Sequence, residues 1–365
     1  MARSKLLKAL LLYPISRVYG MGMAMRNKMF EHGMLKQTEF EVPIVVVGNI
    51  SMGGTGKTPH VEYIIESLMR SYNLGVLSRG YKRATSGFVL ATPQSRPEDI
   101  GDESYQIYRK FGPRVTVAVC ENRVDGIRKM LEINPGINMI VLDDAFQHRY
   151  VKPAVAVVLT EFSRPVFADS LLPYGRLRES ADALNRADIV VVTKCPPDVK
   201  PMQFRIFKEK LNLFPFQKLF FSRYSYGHFI PVFDDNAPEV PSIDTLRPGV
   251  NVLMVTGVAN PKPFARYLRR NKAKVKLKRF ADHHNFSASD LASIERDFNA
   301  LEGEDKFIVT TEKDAVRLLN NPYFPHALKS KVFYVPIKVE FVNEEDSGKF
   351  TTILEKTIRD SRLFK

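Results

Sequence analysis

The chain has 365 residues, 44% hydrophobic and 26% charged, with 54 Lys and Arg against 40 Asp and Glu for a formal net charge of +14. That composition excludes general disorder and allows two or three domains, each with its own core. Two cysteines, Cys120 and Cys195, exclude a disulfide framework and lack metal-ligand spacing, while the basic balance asks for an anionic partner: nucleic acid, a phosphate-rich substrate or an acidic membrane surface.

Residues 1–30 carry Arg3, Lys5, Lys8, Arg17, Arg26 and Lys28 and no acid. The apolar run "ALLLYPI" is too short to span a bilayer and lacks a small-residue cleavage site, which argues against a signal peptide. The segment reads as a basic amphipathic helix on an anionic membrane, the alternative being a helix packed on the protein's own core. "PIVVVG" (43–48) predicts a buried strand and "TPHVEYIIESLMRSY" a helix with Val61, Ile64, Ile65 and Leu68 on one face. Further strands are expected at 74–81, 114–120, 136–148, 155–160 and 187–194. Polar residues cluster at their ends, which places a site at the carboxyl edge of a doubly wound, mainly parallel α/β sheet. The pattern then changes. A second, smaller α/β domain with a β-linker is expected over 225–340, following a core domain over 31–224, and a C-terminal helix within 341–365.

The stretch "VVVGNISMGGTGKTPH" (45–60) has the form of a P-loop. Gly53, Gly54 and Gly56 permit close backbone approach to polyphosphate around Thr55. Lys57 would reach the β- and γ-phosphates of ATP, and the Thr58 hydroxyl would ligate Mg²⁺. Ser51 stands where the general pattern has glycine. "MIVLDD" supplies the second element, an apolar strand ending in Asp143 and Asp144, either of which would hold Mg²⁺. Thr193 and Lys194 follow a suitable strand for guanine reading, but "TKCPPD" puts Asp198 two residues too far, so a GTPase is unsupported. No nucleic-acid motif with aromatic interleaving occurs, and no nucleic-acid partner is expected. The remaining alternative to a kinase is a regulatory P-loop ATPase that uses its basic surface to bind membrane or nucleic acid.

Taken in order, "GNISMGGTGKTP", "SRGY", "GDE", "LDDAFQHR", "LLPYGRLRE", "DHHNF" and "TTEKDAVRL" resemble the tetraacyldisaccharide 4'-kinase family over residues 43–318. The resemblance implies transfer of the ATP γ-phosphate to the 4'-hydroxyl of a tetraacylated glucosamine disaccharide 1-phosphate. It also implies a peripheral enzyme on the cytoplasmic face of the bacterial inner membrane, with its site between two α/β domains. It implies Asp102 as catalytic base, His283 as its partner, and Lys57 and Thr58 at the nucleotide phosphates. Asp143 and Asp144 become the Mg²⁺-linked acids, with Gln147 and His148 beside them. Arg79, Arg123, Arg178 and Glu179 are substrate-binding or supporting residues. Whether His283 or His284 faces the site stays open, as does whether Arg178 and Glu179 form a plain surface ion pair. Ala145 stands where the family has Gly, and Ser104 and Ser180 where it has Pro; none of these positions supplies a catalytic group.

Overall fold

The computed structural model describes residues 2–233, 249–258, 260–271, 273–282 and 284–363. Its first unit opens with a long helix, α1 (Ala2–Glu31), and continues through β1 (Ile44–Asn49), α2 (Lys57–Leu68), β2 (Leu74–Ser78), β3 (Val89–Leu90), α3 (Pro97–Ile100), α4 (Asp102–Phe111), β4 (Thr116–Val119), α5 (Arg123–Ile133), β5 (Met139–Asp143), β6 (Val155–Glu161), β7 (Ile189–Thr193), α6 (Pro201–Leu211) and β8 (Lys218–Tyr226). A second unit follows with β9 (Ile230–Pro231), β10 (Asn251–Thr256), α7 (Lys262–Arg270), β11 (Lys274–Arg279), α8 (Ala288–Asn299), β12 (Lys306–Thr311), α9 (Glu312–Leu319) and β13 (Val332–Val335). The chain ends with β14 (Ile337–Phe341) and α10 (Glu345–Leu363).

Two sheets result. The larger has the order β14-β8-β7-β6-β1-β5-β2-β4-β3, parallel from β8 to β4, with antiparallel strands at both edges. Its central strands are runs of Val, Ile and Leu because both faces are covered. Ile44 and Val46 point into one core with Ile127, Met130, Leu142 and Phe207. Val45 and Val47 point into the other with Ile64, Ile65, Ile107 and Val141. The smaller sheet, β11-β10-β12-β13-β9, is parallel except for β9 and is likewise covered on both faces, by α8 and α9 on one side and α7 on the other.

One detail differs from the sequence expectation. The boundary expected near 340 falls inside β14, which leaves the second sheet and pairs antiparallel with β8 in the first. The C-terminal helix expected within 341–365 is α10, and its Phe350, Leu354 and Ile358 complete a core of the first sheet. The signal missed was long-range: nothing local in "IKVEF" says which sheet it joins. The outward and return crossings lie side by side, with the Gly227 N–H donating to the Pro336 carbonyl at 2.9 Å.

The helix expected at residues 1–30 is α1, and it packs on the protein's own core. One face docks on the first unit: Phe30 is buried, Tyr19 Oη donates to the Arg178 carbonyl (2.8 Å) and Asn27 Nδ2 to Glu179 Oε2 (2.8 Å). The opposite face exposes Leu10, Leu11, Ile15, Val18, Met21 and Met25 to solvent. Among the described residues no helix is long and apolar enough to cross a membrane.

Candidate active site

The glycine loop lies between β1 and α2. Gly53 (φ 109) and Gly56 (φ 92) take left-handed conformations that favour glycine, and side chains at Gly53 or Gly54 would meet nothing within 4 Å. The loop is thus open on one side and braced on the other. Thr55 is buried, with its hydroxyl accepting from Asn49 Nδ2 (2.6 Å) and its carbonyl from Thr193 Oγ1 (2.7 Å). Lys194, in the left-handed region at φ 57, donates to the Gly54 carbonyl. His60 Nδ1 lies 2.7 Å from the Gly56 carbonyl and its Nε2 2.9 Å from Ser222 Oγ. Ser51 is buried, and its backbone is taken up in a bridge to Leu177. Of the expected loop residues, Ser51 and Thr55 therefore hold the loop, while Gly53 and Gly54 open onto solvent.

The braced His60 gives a measurable pH dependence. Burial lowers its pKa from 6.5 to about 4, so the fold keeps it neutral where the unfolded chain would protonate it. Its contribution to stability is complete above pH 6.5 and is lost as pH falls towards 4. Between pH 6.5 and 5, wild type should lose about 1.5 kcal/mol more unfolding free energy than His60→Gln, read from urea titrations. Equal losses in the two proteins would remove His60 from this role.

β5 lies beside β1 with Val47 opposite Asp143, which brings the second acidic element to the mouth of the loop. Asp143 is buried with its Oδ1 unpartnered, and its pKa is raised to about 7 by burial first and then by Glu103 and Asp144. Asp144 leaves the strand at φ 47, a conformation Asp tolerates. Its Oδ1 meets Lys57 Nζ at 3.5 Å and Arg178 Nη1 at 3.2 Å. Two carboxylates beside a phosphate loop suit Mg²⁺, which takes few protein ligands and completes its shell with phosphates and water. No cluster of three or more acidic, His or Cys ligands occurs among the described residues.

A cavity of about 530 Å³ continues from these acids and is lined by Arg79, Asp102, Arg123, Asp143, Asp144, Gln147, His148 and Arg178 of the expected set. Ser78, Tyr81, Glu103 and Glu121, from polar motifs of the sequence that carried no assigned role, also line it, as does Tyr19 of α1, which the sequence did not point to. Asp102 is the first residue of α4; the preceding Gly101, at φ 82 and packed on the Tyr81 carbonyl, leaves no room for a side chain. Its Oδ2 accepts from Arg317 Nη2 of α9, a residue sequence reasoning placed in a motif without a role. Lys313 Nζ is likewise 3.3 Å from Glu103 Oε1, so α9 grips the first turn of α4 across the two units. Arg123 is buried behind Asp143, donating to the Cys120 carbonyl at 2.7 Å.

Arg178 and Glu179 do not form an ion pair: Glu179 turns away from the cavity and is buried, accepting from Asn27 (2.8 Å), Gln147 (3.1 Å) and Arg186 (2.8 Å). It ties α1 to the loop that carries Gln147. His283 lies outside the described residues. His284 faces Asp290, with Nε2 2.9 Å from its Oδ2, and stacks on Phe280.

The tetraacyldisaccharide-1-P 4'-kinase (LpxK) family profile matches residues 8–359. A tetraacyldisaccharide 4'-kinase of Bacteroides thetaiotaomicron is 48% identical over 342 residues, covering 92% of this chain and 90% of that one. The Flavobacterium johnsoniae enzyme of the same name is 42% identical over 339 residues, covering 92% and 94%. The fold is similar to the crystal structure of Aquifex aeolicus LpxK in complex with ATP, with a TM-score of 0.73 and 28% identity over 98% of this chain and all of that one. Loop, paired aspartates and cavity thus occur within a sequence match that spans almost the whole length, and the chain belongs to the tetraacyldisaccharide-1-P 4'-kinase family.

Proposed function

We propose that this chain transfers the γ-phosphate of ATP to the 4'-hydroxyl of a tetraacylated glucosamine disaccharide 1-phosphate, a step in lipid A biosynthesis. The observation that supports it best is that one cavity is lined both by Asp143 and Asp144, beside the phosphate loop, and by Asp102. A regulatory ATPase that only senses nucleotide has no need for a carboxylate at that place; a kinase needs one to take the proton of the attacking hydroxyl.

In this reading Gly53 to Gly56 and the first turn of α2 receive the phosphates, and Lys57 neutralises charge as the γ-phosphoryl group leaves. Thr58, Asp143 and Asp144 would hold Mg²⁺, which supplies charge compensation on the phosphate oxygens when bound. The orphaned Asp143 Oδ1 fits that role. Asp102 is the base, with His283 as its proposed partner and Arg317 as its holder. Arg79, Arg178 and Gln147 face the acceptor, and Glu179 supports them from behind. The exposed apolar face of α1, next to its basic residues, rests on an anionic membrane, making the protein peripheral on the cytoplasmic face of the inner membrane. The larger sheet with α1 and α10 forms the nucleotide-binding unit, and the smaller sheet is a second unit joined through a β-linker.

The test is direct. Protein, Mg²⁺ and γ-labelled ATP are mixed with tetraacyl disaccharide 1-phosphate in detergent micelles, and label in the lipid is counted. Label on the 4'-oxygen supports the proposal. ATP hydrolysis without lipid label, where an authentic kinase of this family labels the lipid, supports the regulatory ATPase instead.

A further inference from the structure

Behind the cavity, three helices meet on a cluster of buried charge. α2 begins with Lys57 and Thr58 of the phosphate loop, α4 begins with Asp102, and α9 carries Arg317, which holds Asp102. Along α4, Asp102, Gln106 and Lys110 recur at four-residue spacing and so share one face. Gln106 Nε2 donates to Glu62 Oε1 of α2 at 2.7 Å, and Lys110 Nζ donates to Glu62 Oε2 at 2.6 Å. Lys110 Nζ also lies 3.6 Å from Oε1 of Glu312, the first residue of α9. α9 therefore runs back along α4, with Arg317 at the amino end of α4 and Glu312 near its carboxyl end.

Such a cluster does not favour the fold by itself. Glu62 is 3% exposed, and Val61, Ile65, Ile107 and Phe111 on the same two helices are buried apolar side chains. Burial raises the pKa of both carboxyl groups, that of Glu312 to about 7 with Glu62 adding to the effect. Apolar side chains of the same volume would hold the helices together as well or better, because the attraction within a buried ion pair often fails to offset its desolvation. What the charged cluster adds is register. Each Glu62 oxygen has its own donor, from residues one turn apart on α4. α4 can therefore neither rotate about its axis nor slide along α2 without leaving a buried charge unpaired. Asp102 stands eight residues before Lys110 on the same rigid rod, about 12 Å by helix rise, so its carboxylate follows any such movement.

We propose that Glu62, Gln106, Lys110 and Glu312 are positioning residues for phosphoryl transfer: together they fix α4 against the phosphate-loop helix and so set where Asp102 stands relative to the γ-phosphate. This rests on the kinase reading above, in which Asp102 is the base. None of the four lines the cavity, and all act through Asp102.

The double variant Glu62→Gln/Lys110→Met removes both charges with little change of volume, so its stability in urea titrations should stay at or above that of wild type. Its kcat for transfer should nevertheless fall about 10–100-fold, with KM for ATP within about threefold, because the loop is intact and only the aim is lost. Lys110→Arg, which keeps the charge, should retain most of the turnover. Where the double variant does not fold, Gln106→Leu, which leaves the ion pair and frees one Glu62 oxygen, should show the same split at about a tenfold loss of kcat. Turnover within threefold of wild type in the folded variant would overturn the proposal. So would a loss carried by KM for ATP at unchanged kcat, which would make the cluster part of the nucleotide site. If wild type transfers no phosphate, the kinase reading fails by itself, and amide hydrogen exchange across α4 then decides the cluster. Faster exchange in the variant supports its hold on α4, and unchanged exchange overturns it.

Discussion

Changing Asp102 to alanine should lower turnover about 10²–10⁴-fold, the contribution of a positioned general base, while the KM for ATP moves less than about threefold. Asp102 opens α4, where the helix dipole and Arg317 both stabilise a negative charge. Arg317 is itself fixed by Asp314, a fully buried carboxylate that accepts from Thr256 Oγ1 (3.1 Å), the Gly257 N–H (3.0 Å) and Thr311 Oγ1 (2.7 Å). The chain of contacts runs from the end of β10 through α9 to the first turn of α4. Arg317→Gln should therefore lower kcat by up to about 10²-fold through loss of aim, with ATP binding intact and partial rescue in Arg317→Lys. Steady-state kinetics on the three variants decide this. Turnover of Asp102→Ala within threefold of wild type would take the base role from Asp102.

The second large effect concerns stability. Phe350 of α10 is 1% exposed and packs edge-on against Tyr63 (5.8 Å between ring centroids) and Phe220 (5.3 Å), with Phe341 tilted beside it at 5.0 Å. Tyr63 belongs to α2, the helix that follows the phosphate loop, so the C-terminal helix backs the element that presents the nucleotide site. Phe350→Ala should cost about 3–5 kcal/mol of unfolding free energy, the range for removing a buried Phe side chain. Denaturant unfolding with and without saturating ATP measures it, and because ligand adds to native stability by mass action, ATP should restore part of the loss. A cost below 1 kcal/mol would mean that α10 contributes little to this core.

How much of this was legible in the sequence follows from the range of the interactions. The strand runs "IVVVGN" and "MIVLD" are apolar throughout because both faces of the sheet are covered, and that pattern is local. Glycines with left-handed φ and the paired aspartates are local as well. Arg317 was not legible, because nothing in "TTEKDAVRL" says that its arginine crosses to residue 102 of the other unit. Lys194 was tested only as a guanine reader; in the fold it holds the Gly54 carbonyl. Glu179 was expected as a substrate-binding or supporting residue, and which of the two was not legible, because its three donors come from residues 27, 147 and 186, which only the tertiary structure brings together.

The paired crossings have a consequence for how the chain is built. Because the Gly227 N–H meets the Pro336 carbonyl, entry to and exit from the second unit are neighbours in space, and everything from β9 to β13 hangs on the first unit as an insert. β8 and β14 already pair antiparallel, Tyr226 opposite Ile337, as the two arms of a hairpin do. A two-residue type I′ turn such as Asn-Gly could join them directly. The excised chain would keep the phosphate loop, Asp102, Asp143 and Asp144 but lose Arg317 and His283, so under the proposed function the residues that would hold the nucleotide and those that would position the base are separable along the polypeptide.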